Sequence, residues 1–386
     1  MLSRLLAGVL CFTLSHLAGG QPVTLPVEPV RQVWRAPEAA PEDGFPDSED
    51  PLLPLQWGWV AVGADQIQPP PAFRLPLRPI VGIIDTGLPD HEDVAMLRGY
   101  PGIFTEVGDR HGHATHVSSI LGAITNNGLG TAGTVGTWPM ISSRALGDFG
   151  SGSVESVAYS MIEAMVHGAR VLSISIQGPY GVPYDLAFGW AEDAGVICVV
   201  AAGNYWSGPV AWPGAHPYAI TVSALDPWLS IAPYSSIGPE VDFCAPGTRI
   251  VAAWPRDGKF GTPCRECYAP LDGTSMATPM VAGIVARMLT ERYLTRDQVV
   301  MALRYTCADL GPPGWDAEYG WGLVRGEVVD FVRWDRVDFD RNGVRDSRDL
   351  AIGQEYIENG DPRGDLDLDG DNDGDDLLVL ISEIGP

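Results

Sequence analysis

The chain has 386 residues, 45% of them apolar and 9% aromatic, enough for one large core and a smaller appendage. Its formal net charge is −25, from 49 acidic against 24 basic residues, which argues against nucleic acid and anionic membrane surfaces as partners. Much of the imbalance is local, because the stretch from Asp335 to Pro386 holds 16 acidic and only 5 basic residues.

Residues 1–20 carry Arg4, an apolar run from Leu5 to Leu14, and the small residues Ala18-Gly19-Gly20. This is the layout of a secretory signal peptide and is too short for an ordinary spanning helix. Cys11 follows Val9-Leu10 and lacks the small residue that precedes a lipidated cysteine. No other stretch is long and apolar enough to span a membrane, so the expectation is a secreted, extracellular, soluble protein. Residues 21–51 are rich in Pro, Glu and Asp and read as a disordered leader.

Residues 52–333 read as one domain of alternating strands and helices. Apolar runs predict strands over Ile80–Ile84, Met140–Ala145, Val171–Ile176, Val196–Ala201 and Ala219–Ala224. Helices are expected near His113 and Ser275, and from a Ser153 cap to His167, where Gly168 stops the pattern. Strands that are apolar throughout, interleaved with helices, indicate a doubly wound, mostly parallel α/β sheet covered on both faces.

Four stretches bear chemistry. Ile80–Asp85 ends in a carboxylate, where an open α/β sheet presents residues to its crevice. His113 stands at the mouth of a helix whose Val117, Ile120, Leu121 and Ile124 share one face. Val196–Asn204 ends in an amide that can donate to a developing oxyanion. Ser275 opens an apolar run of small residues, at the positive end of the helix dipole among free N–H groups. A lone serine there is commonly only an N-cap on a core helix. The base, acid and second donor elsewhere in the chain favour a nucleophile.

The motifs IIDTG, GHATHV, AAGN and GTSMATPMVAG, in that order, resemble the subtilisin-like serine proteases, or subtilases. The resemblance runs from about Pro54 to Val329 and implies a secreted serine endopeptidase acting on protein or peptide substrates. It makes Ser275 the nucleophile, His113 the general base and acid, Asp85 its orienting partner, and Asn204 the oxyanion donor with the Ser275 N–H. It casts His116 as structural. It lays substrate as a strand between Gly150, Ser151 and Gly152 on one side and Ser175, Gln177 and Gly178 on the other, with Ala201, Ala202 and Gly203 lining the S1 pocket. The chain departs from the family at Gln177, where a pocket-wall glycine is usual, so its side chain is expected to narrow S1. Ala114 and Ser118-Ser119 also replace smaller residues of the histidine helix. Two rivals stand beside this reading. An esterase is disfavoured because no GxSxG elbow surrounds Ser275 and because Asp85 comes first. A catalytically weak or inactive binding protein on the same fold would be attached to a scaffold by the C-terminal module.

Five cysteines follow the signal segment. Cys198 lies in an apolar run and reads as a small core residue. Cys264-x-x-Cys267 fits a tight disulfide, half a zinc site or a redox pair, of which an oxidising compartment favours the first. The pairing of Cys244 and Cys307 is open.

Residues 334–386 change character. Asp338, Asp340, Asn342, Asp346 and Asp349 fall at loop positions 1, 3, 5, 9 and 12, with Gly343 at 6. Asp365, Asp367, Asp369, Asp373 and Asp376 repeat this 27 residues later, with Gly370 at 6. This is the spacing of EF-hand calcium loops, in which oxygen ligands at those offsets wrap one cation. A solvated acidic tail is the plain alternative. The duplicated loop-plus-helix pattern, with Asp at position 12, resembles dockerin-type modules, which implies calcium and a cohesin-like scaffold partner. Calcium is expected to unite Leu350, Ile352, Leu377, Leu378 and Leu380 in an all-α unit that the main domain does not need. Asn126–Gly130 is a candidate calcium loop within the main domain.

Overall fold

The computed structural model describes residues 23–24, 49–70, 72–255, 267–333, 337–340 and 345–384. The expected signal peptide, most of the leader, Cys264 and Asn342 lie outside the described residues, and with Cys264 lies the expected disulfide.

The strands, in chain order, are β1 (Val23–Thr24), β2 (Ile80–Asp85), β3 (Arg98–Tyr100), β4 (Met140–Arg144), β5 (Ser151–Gly152), β6 (Ala169–Ile174), β7 (Ile197–Ala201), β8 (Ile220–Leu225), β9 (Phe243–Pro246), β10 (Ile250–Ala253) and β11 (Tyr268–Leu271). Seven of them form one sheet in the order β3-β4-β2-β6-β7-β8-β9, with every pairing parallel. The expected α/β class with a mostly parallel sheet is present. The five strands predicted from apolar runs all form, each within two residues of its expected ends. Within this sheet the short edge strands β3 and β9 went unpredicted, as did β1, β5, β10 and β11 outside it; Arg98 and Pro246 interrupt any apolar run in the two edge strands.

Both sheet faces are buried, and alternate residues of one strand enter different cores. Val81, Ile83, Val171 and Val199 join one core, while Ile84, Leu172, Ile174, Cys198 and Val200 join the other. Burial on both faces is what erases polar alternation from the sequence. Cys198 is fully buried, and burial pushes its thiol far above the ordinary range, as suits a core residue.

The helices are α1 (Trp57–Ala61), α2 (His113–Gly122), α3 (Val154–Val166), α4 (Val182–Ala194), α5 (Thr274–Glu291), α6 (Arg296–Thr306), α7 (Val328–Phe331), α8 (Ser347–Asn359) and α9 (Gly374–Ile384). Helices α2 and α5 cover one face of the sheet, and α3 and α4 cover the other. Ser153 caps α3 in a reciprocal box with Ser156. Helix α5 is buried along almost its whole length and packs on α2 and on β6 to β9, so its small residues set the spacing of the domain. Among the described residues no helix is long and apolar enough to cross a membrane.

In the C-terminal stretch α8 and α9 pack together around Val337, Leu366 and Leu380, with Leu350 and Leu377 against them. Two expected members are absent from this cluster: Leu378 is 64% exposed, and Ile352 is half-buried without joining it. Leu377 and Leu380 are three residues apart and share a helix face, so Leu378 turns outward. This stretch also touches the main domain. Leu368 is buried in the main core, Gln298 donates to Asp367 O at 2.7 Å, and the Tyr305 hydroxyl donates to Asp365 at 2.7 Å. The second acidic loop is docked on α6.

Candidate active site

The chain order of the sheet reverses beside β2, and Asp85 closes that strand at the resulting crevice. Asp85 is fully buried, and both its carboxylate oxygens lie 2.8 Å from His113 Nδ1. A carboxylate only accepts, so the ring proton resides on Nδ1 and Nε2 is left as a base. That Nε2 is buried and has no hydrogen-bond partner among the described residues.

The loop before α2 holds this ring in place. Asp109 accepts from Gly112 N, Thr115 N and Thr115 Oγ1, and Thr86 Oγ1 donates to it at 2.8 Å. Thr86 Oγ1 in turn accepts from Ala114 N at 3.0 Å, stitching the end of β2 to the first turn of α2. Gly112 has φ 106°, and a Cβ there would meet the Trp254 ring at 2.7 Å, so the close approach requires glycine. Ala114 and Ser118-Ser119 do not displace the helix, since His113 keeps its contact with Asp85. His116 Nε2 donates to Ala269 O at 2.9 Å, and burial lowers its pKa to about 3, which makes it a neutral structural residue.

Ser275 is the second residue of α5 and is fully buried. Its hydroxyl donates to Ser175 O at 3.3 Å rather than to His113, and Ser175 Oγ donates back to Ser275 O at 3.0 Å. Helices α2 and α5 pack directly on each other, so the base and the serine are carried by adjoining elements.

Asn204 follows β7. Its Oδ1 accepts from Thr274 N at 3.2 Å and from Thr274 Oγ1 at 3.1 Å. With the carbonyl end held, the amide nitrogen is fixed on the other side, and Nδ2 is buried without a partner among the described residues. Burying an unsatisfied donor costs about 1–3 kcal/mol, so this group awaits an acceptor. Asp85 thus holds His113, while Thr274, the neighbour of Ser275, holds Asn204, on elements packed against the same sheet.

The Subtilase family profile matches residues 78–322. The chain belongs to the subtilase family. It is 32% identical over 249 residues to a thermostable alkaline protease of Halalkalibacterium halodurans, covering 63% of this chain and 65% of that protein. It is 32% identical over 253 residues to the M-protease of Shouchella clausii (64% of this chain, 63% of that one), and equally so to subtilisin Savinase of Lederbergia lenta, of which 89% is covered. The match therefore spans less than two thirds of the first two relatives.

The substrate-side residues of this subtilase are only partly as expected. Strand β5 (Ser151–Gly152), next to the buried Gly150, carries an antiparallel partner, β1, with Val23 opposite Gly152 and Thr24 opposite Ser151. Those two leader residues are extended strand, contrary to the expected disorder. The edge predicted to take a peptide already takes one from its own chain. Ala201 and Ala202 are fully buried, and Gly203 N donates to Thr274 Oγ1 at 3.2 Å. Gly178 departs from its expected role, because its N–H and C=O both bond to Trp212, at 2.7 and 3.2 Å. It fixes the strand instead of offering those groups to substrate. Gln177 departs too: its Oε1 accepts from Asn204 N at 2.7 Å.

Asp109, Thr86, Thr274 and Trp212 were missed by sequence reading. Thr86 and Thr274 directly follow Asp85 and precede Ser275, so adjacency was the available signal. Nothing in the sequence showed where their hydroxyls reach.

Among the described residues of the C-terminal loops, carboxylate oxygens converge within 4.8 Å in three groups: Asp338, Asp340 and Asp349; Asp365, Asp367 and Asp369; and Asp371, Asp373 and Asp376. The second loop is thus split in two, Asp371 was not anticipated, and Asp346 is not drawn into the first group. Asp346 instead caps α8 by accepting from Arg348 N. The pKa of Asp367 is raised by burial and by Asp369, Asp376 and Asp365. In the main domain, the Asn126–Gly130 loop is tied down by protein groups. Asp50 accepts from Asn126 N at 2.8 Å and Asn127 N at 3.1 Å, while Asp93 accepts from Asn127 Nδ2 and Thr131 N, both at 3.0 Å.

Proposed function

We propose that this subtilase is a secreted serine endopeptidase. The observation that carries the reading is the pinned imidazole, whose Nδ1 faces Asp85 and whose Nε2 is buried and unpartnered. Ser275 Oγ swings from Ser175 O to attack the scissile carbonyl, and His113 Nε2 takes its proton as the Oγ–C bond forms. Asp85 stabilises the resulting imidazolium. The tetrahedral oxyanion is held by Asn204 Nδ2 and Ser275 N–H. Collapse breaks the C–N bond, His113 protonates the departing amine, and water then hydrolyses the acyl-enzyme by the same route. The peptide lies as a strand between Gly150–Gly152 and Ser175–Gln177, a placement supported by β1 on the first of these edges.

Labelling with a fluorophosphonate probe tests this reading. Folded wild-type protein should be modified and Ser275→Ala should not. An unlabelled wild type would favour an inactive binding protein on the same fold.

The acidic loops are proposed to hold calcium through Asp338, Asp340, Asn342 and Asp349, and through Asp365, Asp367, Asp369, Asp373 and Asp376. Convergent carboxylates, with the pKa of Asp367 raised among them, support this, since a hard dication relieves their repulsion. The ion supplies charge neutralisation and loop rigidity. A cohesin-like scaffold partner would meet the exposed Leu378 and Ile381 of α9.

A further inference from the structure

Gln177 stands in the segment after β6, where Gly178 is locked to Trp212 by paired backbone bonds at 2.7 and 3.2 Å. From this fixed strand its side chain crosses to the segment after β7, and Oε1 accepts from Asn204 N at 2.7 Å. It passes close over Gly203, where a Cβ would lie 3.3 Å from Oε1, and Gly203 holds φ 103°. Asn204 is therefore held from two sides, its backbone N–H by Gln177 and its side-chain carbonyl by Thr274. The remaining polar group of that side chain, Nδ2, is the buried donor without a partner.

We infer that Gln177 is a positioning residue for the oxyanion donor: its amide oxygen anchors the Asn204 backbone so that Nδ2 stays aimed at the developing charge. The inference rests on the proposed role of Asn204. Preorganised donors act because they need no reorganisation at the moment of reaction, so loosening the backbone behind one donor lowers kcat. Gln177 acts through Asn204 and touches no reacting atom.

The test is a double-mutant cycle on the whole protein, read as kcat and KM on one peptide substrate. Gln177→Met keeps the length of the side chain and removes the acceptor, while Gln177→Gly removes both. Each should lower kcat about tenfold with KM unchanged, a smaller loss than deleting a donor outright. In the Asn204→Ala background neither should lower kcat further. Equal losses in both backgrounds, or an unchanged kcat in the single variants, would overturn the inference while leaving Asn204 in place. A fall in KM for large P1 residues with Gly alone would make Gln177 a pocket filler instead. If Asn204→Ala itself keeps full kcat, the oxyanion reading fails and the inference falls with it.

Discussion

Replacing His116 by Gln should flatten the acid limb of this protein's stability curve. His116 is fully buried, and burial lowers its pKa from 6.5 to about 3. A base depressed in the fold stays neutral there while the unfolded chain takes up the proton. Its contribution is therefore complete above about pH 6.5 and is lost as the pH falls toward about 3. Within that window each pH unit costs about 1.4 kcal/mol. Between pH 8 and pH 4.5 this one group should remove about 3 kcal/mol. Gln keeps an N–H donor for Ala269 O and does not titrate. Urea unfolding at the two pH values, with Ser275→Ala in both proteins to prevent self-digestion, supplies the measurement. The protein with His116 should lose about 3 kcal/mol more than the Gln variant, because carboxylates common to both cancel in the difference. A difference below about 1 kcal/mol would show that His116 is charged in the fold, and the burial argument would be wrong.

Ser275→Ala should abolish peptide hydrolysis and leave the near-ultraviolet circular dichroism unchanged; residual casein cleavage would remove the nucleophile assignment. Asn204→Ala should lower kcat about 10²–10³-fold, the range known for this donor in subtilisin, with KM little altered. A protein beginning at Glu49 should show a lower KM for peptides, since β1 no longer covers Ser151–Gly152; an unchanged KM would mean that β1 leaves this edge in solution. Leu368→Ala should destabilise the whole chain by about 2–5 kcal/mol, because its side chain sits in the main core, and an unshifted urea midpoint would show the acidic loop undocked. Calorimetry on the full chain should count about two calcium ions, whereas no heat of binding would restore a plain acidic tail.

The sequence by itself determined the sheet and nominated the candidate reacting groups. Strands buried on both faces favour apolar and small residues, so β2, β4, β6, β7 and β8 were legible, and Asp85, His113, Asn204 and Ser275 stood at the ends of strands and helices. Only the tertiary structure decided how each group is held. The Thr274 contacts that leave Asn204 Nδ2 unpartnered span 70 residues of sequence, and the Gln177 bond to Asn204 N crosses between strands, so no local pattern encodes either. Gly178 looked available for substrate because its partner Trp212 lies far along the chain. Leu368 looked like part of a separate unit because composition changes near residue 334, yet burial depends on which surface a loop meets. Spacing fixes which side chains share an element; whether a donor is paired, a carboxylate capped or a leucine buried is set by neighbours that only folding brings near.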